Sequence, residues 1–450
     1  VEGLGYKVQN LDCPDNDSLR FGKEFGNRGQ CNPTYYTVGN LIKYLKNLRD
    51  VEGMSPQEIN ENYVFLTAGA CGPCRFGMYE AEYRKALTDA GFPNFRVMTF
   101  EQKVNLGEIE EMGLKVDFNF IRTLVKCFIV GDLLNAMGYR IRPYEVQPGE
   151  TDKVIAKGTE MLYEALNKGK SLTPVLFKIR KLFAAIEVNY LQPKPVVEII
   201  GEFWAMTTEG DGNYKIQRWL EQEGAEVRIQ QVTFWIEYII WEGESFFKSR
   251  INLKQHDEKG LKHMKAKKTL RLLYLAKKLL RMYYHTYAWA VGYKDAKMPD
   301  MDAIAKYAHE HYNTNLRGGE GHMEVGKVIE YAKKKKCHMV LSVKPFGCMP
   351  SSSVSDGVQS LIQELYPEII FYPIETSGDG AVNVYSRVQM MLHKARKAVK
   401  EEFESVLSEK NTSLEELNAK LANNKKLQKG SHKSKSRKTS TASNMVYDLV

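Results

Sequence analysis

The chain predicts an α/β fold: three Rossmann-like or flavodoxin-like parallel-sheet domains with helical segments interspersed. Three observations carry that expectation. One plan recurs three times: a β-rich apolar run, a loop with Gly or Pro, an amphipathic helix, and a second β-rich run. The paired runs start 32, 30 and 31 residues apart, the size of a βαβ unit. Gly91, Gly224 and Pro367 close the three helices, as helix ends require.

The first unit runs from Tyr63–Thr67 (YVFLT) through a loop at Ala68–Arg75 and a helix over about Phe76–Asp89 to Phe95–Thr99. The second has Val196–Ile200 (VVEII), a helix over about Asn213–Glu223, and Glu226–Val232. The third has His338–Val343 (HMVLSV), a loop through Pro350, a helix over about Ser353–Leu365, and Ile369–Ile374. Between them, Ala156–Glu187 and Lys262–Ala288 carry apolar residues at helical spacing with Lys and Arg between. The second of these stretches is basic enough to suit a membrane surface. Its apolar stripe is expected instead to cover a sheet. After Glu401 a charged helical stretch follows, with Ser413 and Glu416 at capping-box spacing. The expected division is 1–145, 195–330 and 331–400 for the α/β domains and 146–194 for a helical segment, with a helical insertion in the second domain. A charged helix at 401–424 and a tail at 425–450 complete the chain.

The 450 residues suit about three domains at roughly 150 residues each. With 43% hydrophobic and 26% charged residues, wholesale disorder and collagen-like structure are excluded. No run approaches the roughly 18 apolar residues of a membrane helix, and Val1–Asn10 has no signal-peptide pattern. Seven cysteines are too few for a disulfide scaffold, so thiols in a reducing cytoplasm are expected. Much of the net charge of +9 sits between Lys425 and Lys438, which hold seven Lys or Arg and no acid. This Ser-rich segment reads as a disordered, solvated tail. The body is nearly neutral, which argues against nucleic acid as the main partner.

Four cysteines share a setting. Cys71 and Cys74 lie in Ala70-Cys-Gly-Pro-Cys-Arg75 between a strand and a helix, and Cys348 lies in Phe346-Gly-Cys-Met-Pro350 in the third unit. Cys31 precedes a helix that Asn32 can cap and Pro33 can start. A thiolate at a helix N-terminus is stabilised by the helix dipole and free N–H groups, which suits it to metal. Loops at the carboxyl ends of parallel strands line a crevice, so these distant thiols can meet where the first and third units face each other. Four thiolates are what a [4Fe–4S] cluster or a structural zinc needs. Cys127, in LVKCFIV, reads as core, and Cys13 and Cys337 have no loop-to-helix setting.

Two other motifs are matched in part. Strand–CGPC–helix is also the arrangement of thioredoxin-like redox centres, but Ala70 stands where those place Trp. Gly321-His-Met-Glu-Val-Gly326-Lys327 has P-loop spacing, yet Val328 replaces the magnesium-binding Ser/Thr and no β-rich run precedes it.

With these residues in view, the sequence resembles the 2-hydroxyacyl-CoA dehydratase superfamily, in its acyl-CoA dehydratase activase-related branch. The matching stretches are Gly29-Gln-Cys-Asn-Pro33, Gly72-Pro-Cys-Arg-Phe-Gly77, Arg142-Pro-Tyr-Glu145, Val197-Glu-Ile-Ile-Gly-Glu202, Gly319-Glu320 and Lys344-Pro-Phe-Gly-Cys-Met-Pro350. They span about residues 10 to 395. The resemblance implies Rossmann-like domains around an iron–sulfur cluster, single or double cubane, held by Cys31, Cys71, Cys74 and Cys348. It also implies reduction of that cluster by a separate ATP-hydrolysing iron–sulfur activase, an acyl-CoA substrate, and a homo- or hetero-oligomer. Relatives in the superfamily include benzoyl-CoA reductases and double-cubane-cluster proteins. Dehydratase subunits offer three cysteines and leave one iron open; here Cys71-x-x-Cys74 supplies a fourth candidate. Arg75 is the expected cation beside the cluster, or else a solvated or domain-bridging Arg. Ser351 is a donor to sulfur or a helix cap. Glu202, closing the second unit's first strand, is a candidate acid or base on substrate or else a surface cap. The competing function class is a thioredoxin-like thiol–disulfide oxidoreductase or a zinc-stabilised interaction protein.

Overall fold

The computed structural model describes residues 2–69, 74–100, 117–251, 263–316 and 320–450. Its architecture is mixed α/β with two parallel sheets. Helices α1 (Asn16–Phe25), α2 (Asn32–Asp50) and α3 (Pro56–Asn62) precede strand β1 (Val64–Ala68), which pairs in parallel with β2 (Arg96–Phe100). Between the strands, a 3-10 turn at Arg75–Met78 leads into α4 (Tyr79–Asp89). Ile42, Leu45, Tyr83 and Phe92 are fully buried between α2, α4 and this sheet.

The second and third expected domains form one sheet rather than two. Strands β3 (Val196–Gly201), β4 (Glu226–Ile229), β5 (Met339–Pro345) and β6 (Ile370–Thr376) pair in parallel in the order β4-β3-β5-β6, with Val197 opposite Met339. The reason is burial. A two-stranded βαβ unit leaves edges and one face uncovered, whereas VVEII and MVLSVKP are apolar enough to serve as central strands covered on both faces. The crossover helices take opposite faces, as right-handed connections running outward in two directions require. Helix α9 (Ile216–Gln222), between β3 and β4, packs Leu220 into the core on one face. Helix α15 (Ser360–Leu365), between β5 and β6, packs Ile362 on the other. The connections therefore diverge between β3 and β5. That is the switch point at which open α/β sheets bind their ligands.

The helical stretches gather into one body. Helices α5 (Phe118–Ile141), α6 (Glu150–Asn167), α7 (Leu172–Ala185), α10 (Val232–Lys248) and α11 (His263–Val291) join the largest apolar core. The basic helix α11 thus covers other helices, not a sheet. Helices α8 (Phe203–Thr207), α12 (Met301–Ala308), α13 (His322–Lys334) and α14 (Met349–Ser353) border the four-stranded sheet. The long α16 (Ala381–Glu409) follows β6, and the expected capping box opens α17 (Leu414–Ala422): Ser413 Oγ accepts from the Glu416 amide at 3.2 Å. Among the described residues no helix is long and apolar enough to cross a membrane.

The segment 425–450 is folded, which corrects the expectation of a disordered tail. The amides of Val188 and Gly430 bond to Gln428 O and Ile186 O at 2.8 and 2.9 Å. Helix α18 (Thr441–Leu449) then buries Ala442, Met445 and Val446 in the helical core. Lys433 pairs with Asp295, and His432 with Asp448 at 2.8 Å. The charge run at 425–438 masked a short i, i+3, i+4 apolar pattern after it. Met445→Ala is expected to cost about 2–5 kcal/mol, measured by chemical denaturation of the whole chain. Unchanged stability would mean that the terminal helix is not part of the core.

Candidate metal centre

Three of the four predicted thiols, Cys31, Cys74 and Cys348, stand on adjoining loops beside the switch point. Cys31 is the N-cap of α2 and makes no side-chain capping bond. The cap is therefore Cys31 itself and not Asn32, which begins the helix ahead of Pro33. Cys74 likewise caps the 3-10 turn at Arg75–Met78 without a side-chain bond. Cys348 follows β5 at the start of α14. Cys71 lies outside the described residues, as do Gly72 and Gly319 of the resembling stretches.

One backbone contact joins the two halves. The Asn32 amide donates to Phe346 O at 3.0 Å, which brings the Cys31 loop against the Cys348 loop. Gly347 makes room for it: at φ +74° it occupies the left-handed region, and a Cβ there would lie 3.2 Å from Gln30 O and 3.4 Å from Cys31 Cα. Arg75 Nη1 donates to Gly29 O, so its guanidinium fastens the Cys74 segment to the same loop. This bond lies within the first unit, so Arg75 does not bridge two domains through it. Cys31 Sγ lies 3.2 Å from Thr34 Oγ1 and 3.3 Å from Tyr79 Oη. Behind the loops, Tyr36 packs on Trp204 with centroids 5.5 Å apart, closing the first unit onto the β3 side of the sheet.

Glu202 ends β3 at the crevice, its amide bonded to Val343 O of β5 at 2.9 Å. Its carboxylate accepts from the Ala205 amide at 2.8 Å, so it does cap α8. Two further carboxyls converge there. Glu320, before α13, accepts from the Phe203 amide at 2.8 Å, and Glu324, in the first turn of α13, accepts from Ser351 Oγ at 3.1 Å. Ser351 is fully buried; its hydroxyl, whose one proton goes to Glu324, lies beside the Cys348 sulfur, and its amide bonds to that sulfur. The donor to sulfur is thus the Ser351 amide.

The electrostatics tie these groups together. Burial pushes the Cys74 thiol up to about 11, with the charges of Glu320, Glu202 and Cys31 adding to the rise. Burial also raises Cys348; Glu202 adds to the effect, and the Ser351 hydrogen bonds oppose it. Glu202 and Glu320 are both raised by burial, Glu320 further by Glu202 and Glu324. Glu324 is pushed up to about 7, again by burial. Burial in the crevice therefore shifts thiols and carboxyls in the same direction, towards their neutral forms, and a metal that takes thiolates must release protons.

Of the remaining cysteines, Cys337 is buried in the sheet core, Cys127 is half-buried on α5, and Cys13 contacts Thr208 Oγ1 at 3.6 Å. Lys327 of the P-loop-like stretch is buried, its ammonium 5.7 Å from the Phe234 ring rather than at a phosphate loop. Sequence reasoning missed Glu324, Thr34 and Tyr79 at the site. Thr34 and Tyr79 stand one helical turn after a cysteine or a 3-10 turn after one, a spacing that could have found them.

No family model, curated protein or solved structure matches the chain. Among the described residues, no three His, Cys, Asp or Glu converge closely enough to hold a single metal ion. A cubane places its thiolates on separate irons, further apart than the ligands of one ion. The donor set is of the kind such a group takes: Cys31, Cys74 and Cys348 stand on adjoining loops, although Cys31 is also packed in the first unit's apolar core, and buried Asn32 Nδ2, beside Cys31, has no hydrogen-bond partner among the described residues. Gly347→Ala is expected to destabilise the fold by about 1–3 kcal/mol through the left-handed φ and the close approach, read by denaturant titration. Stability equal to the parent chain would mean that the loops do not close at this point.

Proposed function

We propose that the crevice holds an iron–sulfur cluster on Cys31, Cys74 and Cys348, with Cys71 as a fourth ligand or free to leave one iron open. The protein would accept low-potential electrons from an ATP-hydrolysing activase and use them in a reductive reaction such as (R)-2-hydroxyacyl-CoA dehydration. The observation that carries this reading is the Asn32–Phe346 contact, which joins the Cys31 and Cys348 loops at the switch point of a parallel sheet. The resembling stretches around Cys31, Cys74 and Cys348 support it. The cluster, when bound, supplies single electrons at low potential.

The chain's own residues have separate parts in this account. Ser351 donates to the Cys348 sulfur, and Thr34 and Tyr79 hold hydroxyls against Cys31; hydrogen bonds to sulfur ligands tune the potential. Arg75 holds the Cys74 segment against Gly29. Glu202, whose carboxyl is raised by burial at the crevice edge, would be the group that gives or takes a proton at bound substrate.

Single Cys→Ser changes test the ligand set. Cys31→Ser, Cys74→Ser and Cys348→Ser should each lose or convert the cluster, while changes at Cys13, Cys127 and Cys337 keep it, judged by iron content and electron paramagnetic resonance. With Cys71→Ser, loss of iron indicates four thiolates, and a retained cluster with an altered spectrum indicates an open iron. Glu202→Gln should keep its iron and lose about a hundredfold in turnover with activase and acyl-CoA. A normal cluster in Cys348→Ser would overturn the ligand assignment.

A further inference from the structure

Helix α11 (His263–Val291) carries two apolar stripes on nearly opposite sides. The inward one, with Leu280, Tyr284, Tyr287 and Val291, is buried in the helical core. Basic residues beside it are paired with acids of α10: Lys277 with Glu244 at 3.4 Å and Arg281 with Glu237 at 2.5 Å. The outward stripe is Leu272, Leu275, Leu279, Met282 and Trp289, with the polar Thr286 among them; all six are exposed, Leu272 at 66% and Trp289 at 63%, and the Trp289 ring meets Phe177 of α7 edge-on at 4.9 Å. Their spacing of three and four residues is that of heptad a and d positions. The seam is about 26 Å long at 1.5 Å per residue.

We infer that this seam is the docking surface for an amphipathic helix of another protein, one with leucine-type a and d residues and acidic flanks. The flanking residues decide the chemistry. The g positions of the seam are Arg271, Lys278 and His285, all exposed, and the e positions Ala276, Tyr283 and Ala290 carry no charge. Neither Arg271 nor Lys278 pairs with an acid among the described residues; Lys278 lies 4.5 Å from the Tyr274 ring. Helix α11 contains no Asp or Glu. A parallel second copy would set Arg271 and Lys278 against uncharged e positions, and an antiparallel one would set base against base. A heterologous helix with Glu at the facing positions satisfies both, since e and g charges select coiled-coil partners. A lipid surface is the competing occupant, since Tyr274 on this helix and Phe118, Ile121, Leu124 and Phe128 on the adjoining α5 are exposed as well, and the vesicle arm of the test separates the two.

The test uses the full chain and a labelled peptide of three heptads with Leu at a and d and Glu at e and g. Its control carries Lys at e and g, and binding is followed by fluorescence anisotropy. The Glu peptide should bind about fivefold or more tightly than the Lys peptide, from ion pairs at the flanks, and the difference should shrink in high salt. Leu275→Ser with Leu279→Ser, at exposed positions, should abolish binding with the circular dichroism unchanged. Arg271→Glu with Lys278→Glu should invert the preference between the peptides. Equal binding of the two peptides, or binding of neither, would overturn the inference. So would self-association of the chain, or sedimentation with phosphatidylserine vesicles but not phosphatidylcholine ones, if the Leu275/Leu279 variant abolishes it.

Discussion

The backbone hydrogen bond from the Asn32 amide to Phe346 O closes the Cys31 loop onto the four-stranded sheet, beside the bond from the Asn16 amide to Asp211 Oδ2 at 3.1 Å. Both ends of the Asn32–Phe346 bond are held by larger structures. Phe346 is fixed by the last rung of the central sheet, where its amide donates to Thr376 O at 2.9 Å. Asn32 sits at the start of a helix whose Leu41, Ile42 and Leu45 are buried in the first unit's core. Gly347 permits the approach because it has no side chain to collide with Gln30 and Cys31. Everything proposed for the thiols depends on this closure, since Cys31 and Cys74 belong to one sheet and Cys348 to the other.

Burial then sets the chemistry of the crevice. Thiols and carboxyls taken from water favour their neutral forms, and here Cys74, Cys348, Glu202, Glu320 and Glu324 all shift that way. Such a site resists ionisation until a cation or cluster compensates it.

Much of this was legible in the sequence. The βαβ spacing, the stop residues and the loop settings of Cys31, Cys74 and Cys348 are local signals, and local signals survive folding. What the sequence did not reveal is which units share a sheet. Val197 pairs with Met339 across 142 residues, and nothing in either run specifies the other; only the need to cover two apolar faces joins them. The same holds for the C-terminal segment, whose Met445 and Val446 find their partners on distant helices. Ser351 and Glu324 meet only because α13 and α14 converge, so their bond to each other and the sulfur contact had no signature at the level of spacing.

The most direct measurement of the central claim is the metal content and spectrum of the whole chain purified without oxygen. The account predicts brown protein with about four or more iron atoms per chain, as a cubane requires, and a visible absorbance bleached by dithionite. Colourless protein carrying zinc, or an iron-free dithiol that cycles between oxidised and reduced forms, would contradict it.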